Sequence, residues 1–129
     1  MTYVIDTHPL VWFVEANPRL SSAAKTAMTD AEAQIIIPTI VLVEVRYLQA
    51  AKRIKIGLAE VYQEFFNSTN CSACPLDEEI VSRIPENLNI HDAIITATAL
   101  VYRDVLGHPV KLISKDKMIR DSKLIEILW

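Results

Sequence analysis

The sequence predicts an α/β fold, a three-layer α/β/α sandwich around a central parallel sheet. Three observations carry that prediction. Short β-branched or fully apolar runs, Thr2–Ile5, Ile35–Ile37 and Val110–Ser114, alternate with helical segments along the chain. The runs are largely continuous in apolar character, as strands covered on both faces require. A length of 129 residues with 51% hydrophobic and 22% charged side chains describes one globular domain, residues 1–129. Such a chain buries roughly two-thirds of the surface its unfolded form exposes.

Taken in order, Thr2–Ile5 is a strand that stops at Asp6-Thr7, and Pro9 suits the first turn of a helix carrying Leu10, Val11, Trp12 and Phe13. Ser21-Ser22 caps a second helix, Ile35–Ile37 is a strand, and Pro38-Thr39 opens a long helix from Ile40 to about Arg53. Leu58–Phe66 and Asp77–Ile84 read as helices on either side of a weak strand, Cys71–Cys74. Asn89 caps a helix running through Tyr102, which Gly107-His108-Pro109 ends. Val110–Ser114 is a strand, a charged loop follows, and Leu124–Trp129 reads as a closing strand or extended tail.

Composition excludes several functions. The richest apolar run, Ile35–Val45, is broken by Pro38, Thr39 and Glu44, so no membrane span is expected. Met1–Leu10 lacks a basic region and carries Asp6, and two cysteines make no disulfide framework, which together predict a cytoplasmic setting. With only Gly57 and Gly107, neither a Walker A loop nor a dinucleotide fingerprint can be built. A formal charge of −3 argues against nucleic-acid binding by bulk charge alone.

Four acids stand in unusual company. Asp6 lies between Tyr3-Val4-Ile5 and Leu10-Val11-Trp12-Phe13, at the end of the first strand, either as a helix cap or as a site residue. Glu44 has Ile40, Val41, Tyr47 and Leu48 at helical spacing, so its carboxylate leaves an apolar face and needs a cation or a proton. Asp92 sits in the first turn of its helix, where the dipole alone accounts for an acid. Asp116 follows a strand, in a position where an acid also caps turns; Asp121 competes with it. In a parallel sheet these places can meet at one carboxyl edge. Clustered carboxylates require protons or divalent cations, and oxygen-only ligation suits Mg²⁺ or Mn²⁺ rather than zinc. Asp6, Glu44, Asp92 and Asp116 are the candidates to hold such ions. The chemistry expected of them is hydrolysis of a phosphodiester by metal-activated water. From Lys111 to Lys123 five basic residues stand against Asp116 and Asp121, and of these Lys115, Lys117 and Arg120 are the expected phosphate contacts. Lys52, Arg53 and Lys55 offer a second basic patch.

Val-Ile-Asp6-Thr7-His8, Val43-Glu44-Val45, Asn89-Ile-His91-Asp92-Ala-Ile-Ile and Leu112-Ile-Ser114-Lys-Asp116 together resemble the PIN domain family, and most closely its VapC toxin ribonucleases. The resemblance spans nearly the whole chain. It implies a PIN-like sandwich and Mg²⁺- or Mn²⁺-dependent endoribonuclease activity on an RNA substrate. It further implies Asp6, Glu44, Asp92 and Asp116 as catalytic acids, Thr7 and Ser114 as supporting hydroxyls, a homodimer, and a cognate VapB-like antitoxin. Ala93 departs from the family's habit of a larger or polar residue after the Asp.

Two other classes fit the same outline. A receiver-type phospho-signalling domain needs an acidic pair after the first strand, where Asp6 stands alone. A catalytically silent PIN-like domain would use its acidic pocket to accept a partner's Arg or Lys. Cys71 and Cys74 read as small buried strand residues, and Trp12, Trp129 and His8 as core or helix-start residues. Leu42 and Val43 leave the long helix apolar opposite Glu44, which predicts a dimer surface or a groove for a partner helix.

Overall fold

The computed structural model describes residues 1–129. Strand β1 (Thr2–Ile5) runs into helix α1 (Thr7–Val14), followed by α2 (Ser22–Met28), β2 (Gln34–Pro38), α3 (Thr39–Ala50) and α4 (Leu58–Phe65). Then come β3 (Cys71–Cys74), α5 (Glu78–Val81), α6 (Ile90–Asp104), β4 (Val110–Ile113), α7 (Lys117–Ser122) and β5 (Ile127–Leu128). The sheet order is β3-β2-β1-β4-β5, parallel throughout. The expected α/β class and parallel sheet are what the chain forms.

Strand β1 lies at the centre, its Val4 facing Ile36 of β2 and Leu112 of β4, all with no exposure to solvent. Right-handed crossovers put the helices before and after β2 on one face and those between β3 and β4 on the other. Packing agrees, since α1 touches α3 and α4 while α6 touches α5 and β4. Helix α6 is covered through nine consecutive residues, Ala93–Val101, and its small side chains Ala97 and Ala99 let it lie close against its neighbours. The edge strands β3 and β5 are only half-covered, which suits their shorter apolar runs.

The local signals acted as read at most helix starts. Asp6, Ser21, Asp77, Asn89 and Asp116 each accept a hydrogen bond from a first-turn amide. Gly57 donates its amide to Glu60 Oε2 at 2.9 Å, fixing the start of α4. Four boundaries differ from expectation. Helix α1 begins at Thr7, because Asp6 caps it there rather than at Pro9. Helix α3 stops at Ala50, since Lys52 turns the chain into the left-handed region at φ 59°. The 77–84 segment forms only the single turn α5. The charged stretch after β4 is not a loop but holds α7, capped by Asp116 through the Ile119 amide at 2.9 Å. No helix is long and apolar enough to cross a membrane.

Candidate active site

A sheet ordered β3-β2-β1-β4-β5 reverses direction at β1. The neighbouring carboxyl ends of β1 and β4 therefore splay their following segments apart and leave a crevice. Ile5 and Ile113 are register partners, so the residues that follow them, Asp6 and Ser114, meet at its floor. The Ser114 hydroxyl donates to Asp6 Oδ2 at 2.7 Å, and the Thr7 amide donates to Asp6 Oδ1 at 2.7 Å. Both side chains are buried. Ser114 also accepts the Asp116 amide at 3.0 Å, so one hydroxyl ties the strand end to the turn that presents Asp116.

Above this floor is a cleft of about 470 Å³. Asp6, Glu44, Asp92 and Asp116 all line it, from the ends of β1 and β4 and the first halves of α3 and α6. Thr7 lines it too, and Lys115 stands at its margin. Asn89 orients Asp92 twice over, donating from Nδ2 to Asp92 Oδ2 at 2.7 Å and accepting the Asp92 amide at 3.1 Å. His91 Nδ1 lies 3.8 Å from Glu44 Oε2, while Glu44 Oε1 is buried with no hydrogen-bond partner. The Thr7 hydroxyl is likewise buried and makes no hydrogen bond of full geometry, but it stands near enough to Glu44 to favour the charged carboxylate.

The electrostatics follow from this crowding. Burial raises the Asp6 carboxyl above its ordinary range, against the pull of the Ser114 and Thr7 hydrogen bonds. Burial also raises Glu44, with the Thr7 hydroxyl and His91 opposing it. Asp92 is pushed up to about 6, first by burial and then by the charges of Asp116 and Asp6. The site thus holds its negative charge reluctantly, and a cation placed among these oxygens would relieve three carboxyls at once. The donor set is all oxygen, of the kind hard divalent ions take. As placed, no three His, Cys, Asp or Glu side chains anywhere in the chain are gathered so as to hold a metal ion. The match is therefore in donor type and in the unpartnered Glu44 oxygen, not in a closed coordination shell.

Not every expected residue reaches the cleft. Lys117 and Arg120 do not line it; Arg120 turns to Asp121 at 3.4 Å and to a separate hollow beside Arg103 and Lys123. Asp121 is exposed and lies outside the cleft, whereas Asp116 lies within. Sequence reasoning passed over His8, Trp12, Asn89 and His91, which do line it. Their signal was proximity: each stands within six residues of Asp6 or Asp92 on the same turn or helix start. Lys115 Nζ sits 5.8 Å from the Trp12 ring centre, and Trp12 packs edge-on against Trp129. Cys71 and Cys74 are unpaired, half-buried and three apart on one strand, hence on opposite faces of the sheet, and burial pushes Cys71 up to about 11. They form neither a metal nor a redox pair.

A parallel sheet of this order, with four acids lining a cleft at the β1/β4 switch point, defines an α/β domain with an acidic site at its carboxyl edge. The PIN domain family model matches residues 3–123, and the chain belongs to that family. The solved structures it resembles include VapBC2 from Rickettsia felis, bound to a DNA fragment from their promoter. That match has 12% identity and a TM-score of 0.67, and covers 98% of this chain and 97% of that one. VapBC-1 from nontypeable Haemophilus influenzae matches with 12% identity and a TM-score of 0.64, covering 98% and 96%. The RRP44 PIN domain of T. brucei matches with 17% identity and a TM-score of 0.53, covering 98% of this chain and 75% of that one. No curated protein sequence matches significantly.

Proposed function

We propose that the protein is a Mg²⁺- or Mn²⁺-dependent endoribonuclease, the toxin of a toxin–antitoxin pair, acting in the cytoplasm. The observation that carries this reading is the meeting of Asp6, Glu44, Asp92 and Asp116 in one polar cleft at the switch point of the sheet. Family membership supports nuclease chemistry, and the likeness to VapBC complexes supports a VapB-like antitoxin as partner. In this reading Asp6, Asp92 and Asp116 hold the ion and Glu44 reaches it through water. When bound, the ion supplies Lewis-acid activation of water and of the scissile phosphate.

The chain's own contribution is orientation. Ser114 and the Thr7 amide hold both oxygens of Asp6, and Asn89 holds Asp92. Lys115, fixed over Trp12, meets a phosphate at the cleft margin. Homodimerisation is supported by the outer row of α3, where Val43 and Tyr47 are 58% and 75% exposed.

The test is cleavage of RNA by purified protein with Mg²⁺, with Mn²⁺ and with EDTA, against Asp6→Asn and Asp92→Asn. Cleavage that survives EDTA, or that persists in both variants, overturns the reading. A silent interaction domain is the second reading, favoured by the absence of three gathered ligands. Calorimetric titration with Mn²⁺ separates the two, since the silent domain takes up no ion.

A further inference from the structure

The cleft does not end at the acids. Its wall residues His8 and Trp12 are also the wall of a second hollow that continues along α1 to Arg19 and Arg53. That hollow shares Glu15, Asn17, Arg53 and Ile54 with a third, which ends at Lys52 and Lys55. The three lie in series, each sharing wall residues with the next, and together they make a trough. It runs from the acidic cleft, past an aromatic wall, to a basic end built from the segment after α1 and the segment between α3 and α4.

Three features describe this end. First, none of Arg19, Lys52, Arg53 and Lys55 forms an ion pair, as is also true of Lys115, Lys117 and Lys123, so all four are free to meet phosphate. Second, the only acid lining the two outer hollows is Glu15, so cations dominate the trough. Third, two helix ends meet the hollow: Ala16 and Lys52, which follow α1 and α3, both line it and take φ 52° and 59°, the left-handed turn that commonly ends a helix. The Asn17 side chain holds the segment after Ala16 by accepting the Arg19 amide at 2.9 Å.

Spaced cations beyond an aromatic ring suit a single strand of nucleic acid, whose bases stack while its phosphates follow the charge. We infer that the trough from Trp12 to Lys55 is the track for the single-stranded RNA flanking the scissile phosphate, and that the Lys117–Lys123 side is not. This rests on the nuclease reading for its substrate class. Trp12 supplies the stacking face, and Arg19, Lys52, Arg53 and Lys55 take the phosphates.

The test measures binding, apart from cleavage. Fluorescence anisotropy of a short labelled single-stranded RNA is followed in an Asp92→Asn background with Mg²⁺, with RNA integrity checked on a gel. Adding Arg53→Gln and Lys55→Gln is expected to weaken binding roughly tenfold and to lower the salt slope by about 1.4, the value for two lost contacts to a single strand. Lys25→Gln, at an exposed position of α2, serves as the surface-charge control and should change binding less than twofold. Arg19→Gln and Lys52→Gln give a second, independent pair with the same expectation. Unchanged affinity and slope in both pairs overturn the inference. So does unchanged RNA affinity joined to weaker binding of a protein antitoxin, which would assign the trough to that partner. Trough-dependent binding by a protein that never cleaves RNA removes the nuclease reading and leaves the track in place. Active cleavage with trough-independent binding does the reverse.

Discussion

Ser114 Oγ lies 2.7 Å from Asp6 Oδ2, although 108 residues separate them. The contact exists because β1 and β4 pair in parallel register, which brings the two strand ends level. It joins a buried acid to the one hydroxyl that also accepts the Asp116 amide.

Ser114→Ala removes a donor to one buried group and an acceptor for another. Its expected cost is about 1–3 kcal/mol of stability, read by urea unfolding, because the buried Asp6 oxygen and the part-buried Asp116 amide both lose their partner. The Asp6 pKa should also rise further, since the Ser114 hydrogen bond is what pulls it down. A stability loss below a few tenths of a kcal/mol would show that water replaces the hydroxyl at once.

Asp92 gives a signed pH effect. Its carboxyl has a pKa near 6 in the fold against 3.8 in the free chain, so between those values the folded state holds a proton the unfolded state releases. The stability this contributes is complete below the lower value and is lost as pH rises through about 6. Asp92→Asn carries no such charge. In EDTA the Tm values of variant and wild type should converge near pH 4, and the variant should melt higher at about pH 7.5. A wild type that gains on the variant as pH rises contradicts the electrostatic account of the cleft.

Glu44 presents a buried, unpartnered oxygen and a carboxyl that burial raises. Glu44→Gln therefore leaves Tm equal or higher while lowering metal-dependent RNA cleavage by about tenfold or more, a loss of at least ~1.4 kcal/mol in transition-state stabilisation. Loss of both stability and cleavage would mean that the carboxylate is structural.

Asp116 and Asp121 are separated by function. Asp116→Asn keeps a capping side chain for α7 but removes a cleft charge, so cleavage should fall with little change in Tm. Asp121→Asn alters only an exposed pair with Arg120 and should leave both unchanged. Equal losses in the two variants would return the fourth acid to doubt.

The central strands were legible because their chemistry is unambiguous. Ile35, Ile36 and Ile37 carry no polar group that a surface position would need, and all three are buried. The four acids were legible as candidates for a different reason, since Glu44 interrupts an apolar helical face and Asp6, Asp92 and Asp116 stand at strand ends or a helix start. Helix α7 was not, because Lys117–Ser122 buries only Ile119 and otherwise reads as a charged loop. Nor was the direction of the basic surface. Lys117 and Arg120 follow Asp116 closely in sequence, but α7 carries them away from the cleft, and Arg53, far along the chain, comes beside Trp12. Charge can be counted along a chain, whereas the side of a cleft on which it falls is set by crossovers.

Strand β1 sits at the middle of the sheet, yet one of its two neighbours, β4, begins only at Val110. A growing chain that has emerged as far as residue 100 contains Asp6, Glu44 and Asp92 but neither Ser114 nor Asp116. Its central strand is still open on one side, and its first acid is unsupported. Non-local pairing of this kind forms late. The cleft is therefore a joint product of distant segments, because without the pairing of β4 on β1 Asp6 lacks its Ser114 hydrogen bond and Asp116 has no place beside it.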